Sequence, residues 1–442
     1  MMIRRSSFAL ALILLVAPGA HADDTDGLAG LLLRFFAPTN PVILRAAPDP
    51  FNHAAHFGSQ PNAQATLTEL NRGIATQLST FPLGSSSAGF TYTFDEALGV
   101  FNRSTETFGP IFAERPITAG KRKLSFGINY LQANYDRFEG QSLRNGDMHL
   151  FLTHQDTDGD HSNLNPWFEG DIIDADLFME LKNETTVAYA NYGVTDRFDL
   201  GVAVPYQRLD LTARIHGTIQ HLATQPDPFV VHAFPNGTDE SDFLESGSAE
   251  GIGDMVIRGK YNFLRSDSLG LAAAVDWRLP TGKEEDLLGS GAHQVKMYLV
   301  GALPGKHFSP RASAGYTLSS GGSSFTGELP DEVAYSAGFD AALHRRVTLT
   351  ADFLGRTLLD ANRVVIEPQT FRYVFRTDPA VKETMRQTPV AQQGNLGVYL
   401  GSAGLKINPV GRLLLVGNVL FSIGSSGLQD KVIPTFGIDY SF

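Results

Sequence analysis

The last eleven residues of the chain, 432–442, alternate between apolar side chains and small or polar ones. The apolar positions are Phe436, Ile438, Tyr440 and Phe442. A period of two places these four side chains on one face of a β-strand. Such a strand aggregates in water unless another strand pairs with its edge and an apolar medium covers its face. The segment therefore predicts the closing strand of an outer-membrane β-barrel, and the four apolar residues are its expected signal to the barrel-assembly machinery.

The first 22 residues have the features of a secretory signal peptide. Two arginines precede an apolar stretch at 8–17, and the segment ends in the small-x-small sequence Ala20-His21-Ala22. The apolar stretch is shorter than the ~18 residues of a membrane-spanning helix. The chain has no cysteine, which excludes disulfides and a lipid-modified N-terminal cysteine. We expect an exported protein whose mature chain begins at Asp23.

Fourteen segments alternate in the same way and predict membrane strands. They are 88–95, 98–104, 122–137, 174–192, 196–217, 252–265, 268–280, 293–303, 307–320, 331–343, 346–358, 395–407, 411–422 and 432–442. The first two alternate least clearly, and without them the wall has twelve strands. The predicted fold class is all-β: a transmembrane antiparallel barrel over 88–442, with about fourteen strands or, as the alternative, twelve.

The lengths of the connections support this topology. From the third segment onward, each even-numbered segment is joined to the next by a turn of a few residues. The long connections, 138–173, 218–251 and 359–394, all have the opposite parity. Bacterial barrels have short periplasmic turns and long external loops. The sequence therefore predicts a bacterial outer-membrane protein with both ends of the barrel in the periplasm.

Charged residues within the predicted strands alternate with apolar ones and are expected to face the lumen. They are Arg258, Lys260, Asp276, Arg278, Arg311, Asp340, Asp352 and Arg356. A charge facing the middle of the bilayer costs roughly 2–4 kcal/mol, so the opposite register is strongly disfavoured. The set mixes both signs. It can serve as paired charges on a polar wall or act directly in permeation, and the sequence leaves both interpretations open.

Residues 23–87 do not alternate. They include an apolar patch at 28–36, a helix predicted over 63–78, and a Gly/Ser-rich link at 84–89. This position before the first strand is compatible with a plug inside the lumen or with a periplasmic extension. The apolar patch would be unstable in water on its own, which favours the plug.

Asp156, Asp158 and Asp160 are spaced two apart around a glycine in the first long loop. Carboxylates in this pattern can supply oxygen ligands to calcium, and a solvated acidic loop is the alternative. No Gly-x-Ser-x-Gly motif is present, and no histidine lies two residues from a serine on a clear outward face. The sequence therefore predicts no enzyme activity and no cofactor.

The net charge of −12 disfavours nucleic acid as a partner. The expected partners are outer-membrane lipid and lipopolysaccharide, the barrel-assembly machinery, and a small-molecule solute.

Several turn and strand-end motifs carry a family resemblance. They are 191–201, with its sequence NYGVTDRFDLG, followed by Val204-Pro205, and then 251–254, 279–282, 286–291 and 315–316. Through these motifs the chain resembles the outer-membrane proteins of the phenol-degradation meta-pathway family, described as transporters. The resemblance extends over roughly 85–442 and implies an outer-membrane barrel related to channels for hydrophobic compounds.

The expected function is passive uptake of small, hydrophobic or aromatic compounds through the barrel. The alternative is a barrel that transports nothing and whose external loops bind a partner or lipopolysaccharide.

Overall fold

The computed structural model describes residues 27–36, 42, 44, 57, 60–85, 92–95, 100–103, 105–156, 159, 162, 164–224, 231–323 and 327–442. The predicted signal peptide, 1–22, lies outside these residues. The strands are β1 (Tyr92–Asp95), β2 (Val100–Arg103), β3 (Leu124–Tyr135), β4 (Arg137–Phe138), β5 (Gln141–Ser142), β6 (Met148–Thr153), β7 (Ile172–Gly193), β8 (Phe198–Gln220), β9 (Glu240–Ile252), β10 (Val256–Arg265), β11 (Gly270–Arg278), β12 (Ala292–Ala302), β13 (Phe308–Ser323), β14 (Gly327–Glu328), β15 (Glu332–His344), β16 (Val347–Phe375), β17 (Asp378–Ile407), β18 (Leu413–Ile423), β19 (Leu428–Gln429) and β20 (Ile433–Ser441). The helices are a 3-10 turn at Leu31–Phe36, α1 at Pro61–Ser79 and a second 3-10 turn at Trp167–Gly170.

Twelve antiparallel strands close into a barrel. Their order around the wall is β3, β7, β8, β10, β11, β12, β13, β15, β16, β17, β18 and β20. The last of these pairs with the first, from Thr435 opposite Leu131 to Ser441 opposite Ser125. The all-β barrel is confirmed, with twelve strands as in the alternative prediction.

The prediction of fourteen strands is wrong. In the first two predicted segments, the described residues form β1 and β2, which pair with each other in a separate two-stranded sheet. Each has four residues, whereas a tilted strand needs about 9–11 to cross a bilayer. Alternation over so short a distance does not distinguish a membrane strand from a small hairpin.

The wall has an apolar outer face and a polar inner one. On β20, Phe436, Ile438 and Tyr440 are 40–60% exposed, whereas the intervening Thr435 and Asp439 are at most 2% exposed. An apolar surface around a closed barrel requires lipid. The protein is therefore located in the bacterial outer membrane, as predicted. None of the described helices is long and apolar enough to cross a membrane.

The two ends of the barrel differ in their connections. At one end the wall strands are joined by short turns, as between β7 and β8 and between β15 and β16. We assign this end to the periplasm, because the short turns of bacterial barrels lie there. At the external end, β6 and β9 pair with extensions of β7 and β8 above the wall. The prediction of a long loop at 359–394 is wrong. Strands β16 and β17 continue through these residues as a paired hairpin that turns at 376–377. Beyond the lipid a strand does not need an apolar outer face, so this part lacks the pattern of a membrane strand.

Helix α1 and the 3-10 turn at Leu31–Phe36 lie within the external half of the barrel. Helix α1 begins with proline at its first position, where the missing N–H costs nothing. It covers the helix predicted over 63–78. Its buried side chains include Leu67, Leu70 and Ile74, which join one apolar cluster with Leu31 and Phe35. The same cluster contains inward-facing side chains of the wall, on β7 and β8 among others.

Candidate solute site in the barrel lumen

A cavity of about 220 Å³ lies in the lumen below helix α1. Its boundary on the N-terminal side is formed by Gln77, 80–85 and 112–114. The rest is formed by inner-face residues of the wall. Pockets for drug-sized ligands occupy about 300–1,000 Å³, so the cavity is suited to a smaller molecule.

Four of the eight predicted lumen residues line this cavity: Arg258, Asp276, Arg278 and Arg356. The Arg258 guanidinium donates two hydrogen bonds of 2.6 Å to the Asp276 carboxylate, and a third to Glu114. This bidentate geometry is the strongest that arginine forms with a carboxylate.

Arg278 and Arg356 connect the wall to the C-terminal end of α1. Arg278 donates to the carbonyl oxygen of Ser79. Arg356 donates to the carbonyl oxygen of Thr80 at 3.2 Å and lies 3.7 Å from Glu332.

The other four predicted residues lie nearer the periplasmic end and are buried. Arg311 donates to both Asp340 and Asp352, and all three side chains are at most 2% exposed. The Lys260 ammonium lies 3.3 Å from a Glu114 carboxylate oxygen. The structure therefore distributes the eight residues between the cavity and a buried layer beneath it.

Sequence reasoning missed the part of the chain that crosses the periplasmic mouth. We name residues 105–122 the crossing segment. On one side of the barrel, Phe108 N donates to the Thr348 hydroxyl at 3.1 Å, and Lys406 donates to Pro110 O at 2.7 Å. Here Ala113 N donates to Asp352 at 3.4 Å.

The opposite wall holds the other end of the crossing segment. Asn262 donates to Pro116 O at 2.9 Å, and Ala119 N donates to Asp199 at 2.9 Å. The segment thus spans the mouth from β16 and β17 to β8 and β10. Within the segment, Gly109 has φ +75°, and a Cβ there would lie 2.5 Å from the Arg115 guanidinium carbon, so this position requires glycine.

Several inward-facing polar residues were also absent from the prediction. Lys296, Tyr298 and Glu332 line the cavity. Lys406 and Asp439 lie 3.6 Å apart, and both are nearly fully buried. All five alternate with outward-facing neighbours, so the same pattern could have identified them.

One wall of the cavity is apolar. Leu354, Val398 and Leu400 lie on β16 and β17, and Phe81 and Phe112 come from the N-terminal side. Three of the four cations that line the cavity, Arg258, Arg278 and Lys296, lie on β10, β11 and β12. The cavity can therefore accept a molecule with both apolar and polar parts.

Of the residues proposed to bind calcium, Asp158 and Asp160 lie outside the described residues. Asp156 accepts a hydrogen bond of 2.6 Å from Gly159 N. Calcium binding stays a prediction. Elsewhere in the described chain, His149, Asp174 and Asp176 are close enough together to hold an ion, and each is only partly buried.

The four residues of the expected assembly signal lie together on the lipid-facing side of the C-terminus. Phe442 is 55% exposed, and its ring centroid lies 4.8 Å from that of Tyr440. Its backbone N–H donates to Leu124 O at 2.7 Å, next to the seam of the barrel. Recognition by the assembly machinery stays a prediction.

Solved structures with similar barrels were found at low sequence identity. An outer membrane channel of Pseudomonas putida F1 is 11% identical, with a TM-score of 0.44, over 74% of this chain and 98% of that one. A FadL homologue of Pseudomonas aeruginosa is 12% identical, with a TM-score of 0.31, over 80% and 98% of the two chains. The toluene transporter TbuX of Ralstonia pickettii is 10% identical, with a TM-score of 0.27, over 74% and 92%.

No curated protein matches the sequence. A family model does match, and it covers several of the motifs on which the family resemblance rests, including 191–201 and 279–282. Over residues 170–332 the chain matches the family described as "Putative MetA-pathway of phenol degradation", which confirms that resemblance for this part of the barrel.

Proposed function

We propose that the protein is a gated channel for passive uptake of small, mainly hydrophobic or aromatic compounds across the outer membrane. The observation that carries the proposal is the cavity of about 220 Å³ within the lumen, with an apolar wall facing a charged one. A barrel that served only to present external loops would have no need for such a space. The description of the matched family, which names phenol degradation, agrees with aromatic solutes.

Two segments act as gates in this proposal. Residues 60–85, including α1, form the external plug and separate the cavity from the outside. The crossing segment forms the periplasmic gate and is held to the wall by hydrogen bonds and ion pairs. A solute reaches the cavity when the external plug shifts, and it leaves when the crossing segment moves. The lumen charges then hold the two gates in place as well as facing the solute.

The test is uptake of radiolabelled phenol by cells whose lipopolysaccharide layer is the main barrier. Cells that express the protein should take up phenol several-fold faster than cells without it. A matched control replaces Leu299, a lipid-facing residue that is 62% exposed, with alanine and should keep the wild-type rate. Equal rates with and without the protein would reject the channel. Equal rates together with specific lipopolysaccharide binding would support the non-transporting alternative.

A further inference from the structure

Two cations on the cavity wall form no ion pair within the described part of the chain. Arg278 on β11 donates to the carbonyl oxygen of Ser79. The Lys296 ammonium on β12 lies 5.2 Å from the centroid of the Tyr298 ring. Both side chains line the cavity. Both side chains are partly buried. A charge removed from water without a counter-charge is costly, so this pair is a candidate site for an anion.

The neighbouring carboxylates are already engaged. Asp276, which is opposite Lys296 in the β-ladder, is held by the two hydrogen bonds from Arg258. Glu332 accepts a hydrogen bond from Thr317 at 3.3 Å and lies 3.7 Å from Arg356. The protein's own acids therefore leave Arg278 and Lys296 available to a solute.

The ladder register brings the two cations to the same place. Arg278 is opposite Gln294, and Gln294 is two residues from Lys296 on the same face. Such diagonal neighbours lie about 7–8 Å apart at their backbones, within reach of long side chains. A guanidinium and an ammonium at this separation can bind one carboxylate between them.

The wall of Leu354, Val398 and Leu400 provides an apolar surface for the remainder of the ligand. Resting on the proposed channel function, we propose that Arg278 and Lys296 form a binding site for small monocarboxylates with an apolar or aromatic body. The solute class is then an amphipathic organic anion as well as a neutral hydrocarbon. The carboxylate binds the cations while its apolar part contacts β16 and β17.

The experiment compares benzoate with benzamide, its neutral analogue of nearly the same shape. The full chain is reconstituted in liposomes, and uptake of each labelled compound is measured at pH 7. Benzoate binding to the detergent-solubilised protein is measured in parallel by calorimetry. Replacing Lys296 with Met should reduce benzoate binding and the benzoate-to-benzamide uptake ratio by about tenfold, the factor expected for one charge-assisted hydrogen bond.

Controls separate charge at the site from other effects. Lys296→Arg should keep both benzoate binding and the uptake ratio. Lys283→Met removes a lysine that is 70% exposed at the external rim and should also keep them. A tenfold excess of inorganic phosphate should compete weakly with benzoate, because phosphate has no apolar group to contact the apolar wall.

The outcomes distinguish this inference from the proposed function. Uptake of benzamide with no preference for benzoate, or equal values for wild type and Lys296→Met, would overturn the carboxylate site and leave the channel intact. Benzoate binding that depends on Lys296 without uptake of either compound would reject the channel and retain the site. Competition by phosphate as strong as by benzoate would overturn the amphipathic class.

Discussion

The external and periplasmic halves of the lumen are filled by the same N-terminal part of the chain but held by different forces. In the external half, α1 and the turn before it bury Leu31, Phe35 and Leu67 with no measurable exposure. In the periplasmic half, Arg311 and Lys260 hold buried acids and the crossing segment. Apolar packing is non-directional and excludes water, whereas each polar contact can be exchanged for water or a solute. The comparison predicts that the crossing segment moves more readily than the external plug.

The largest effect on stability is expected for Arg311→Met, which removes the cation from the buried charged residues near the periplasmic end. It leaves Asp340 and Asp352 buried without their shared cation, which should lower the free energy of unfolding by about 3–5 kcal/mol. Urea unfolding in detergent micelles measures this. Adding Asp340→Asn and Asp352→Asn to Arg311→Met removes the buried negative charges and should restore most of the loss. A loss below about 1 kcal/mol for Arg311→Met would show that water reaches this layer.

The matching change in the external half is Leu67→Ala. The substitution leaves a cavity in a well-packed apolar core and should lower the free energy of unfolding by about 3 kcal/mol. This loss should not depend on salt concentration. Its control is Leu299→Ala on the lipid-facing side, which should be nearly neutral in detergent. If the loss for Leu67→Ala falls strongly as salt is raised, the distinction between an apolar and a polar half is wrong.

The wall could be predicted from sequence because lipid on one side and a polar lumen on the other require strict alternation. All twelve wall strands, and the inward direction of Arg258 and Asp276, follow from that period. The crossing segment has no such constraint, because its backbone bonds to side chains distant in sequence, such as Asp199 and Lys406. Its position depends on the closed barrel and is not encoded in a local pattern.

Glu114→Gln tests whether the crossing segment is held less firmly than the external plug. Glu114 is bound by both Arg258 and Lys260, so loss of its charge weakens two contacts that hold the crossing segment. Hydrogen bonds to charged groups contribute about 1.5–3 kcal/mol, so single-channel conductance should rise several-fold. Glu106→Gln, in the same segment but 39% exposed, is the control and should conduct like wild type. Unchanged conductance in Glu114→Gln would place the limiting barrier in the external plug.

A smaller, pH-dependent effect is expected in the external connections. Hydrogen bonds raise the pKa of His221, chiefly the one to Asp171 and then the one to Asp239. Burial would raise the pKa of Asp171, but hydrogen bonds from His221, His232 and Thr224 outweigh it and hold that pKa low.

The sign of the pH effect follows from these shifts. The contribution of His221 is fully present below the unfolded pKa of about 6.5 and is lost as pH rises through the higher folded value. The contribution of Asp171 is lost only in strong acid. Because His221 is half-buried and solvent screens its ion pairs, the free energy of unfolding measured by thermal unfolding should fall by at most about 1 kcal/mol between pH 5.5 and 8. His221→Gln should reduce this decrease, and His344→Gln, at the periplasmic end of β15, should not. An unchanged decrease in His221→Gln would assign the titration to another group.

The smallest change in stability is expected for Phe442→Ala, on the lipid-facing side next to the barrel seam. Phe442 is 55% exposed on the outer face, so its removal from the folded barrel should cost less than about 1 kcal/mol in detergent. Phe421→Ala on β18 is a matched control, because that ring faces lipid as well and is 40% exposed. If the assembly machinery recognises the C-terminal residue, the amount of barrel in the outer membrane should fall several-fold in Phe442→Ala only, while both variants refold equally well in detergent. Equal membrane levels of the two variants would reduce Phe442 to one more lipid-facing aromatic, and the barrel would then owe its assembly to the pairing of β20 with β3.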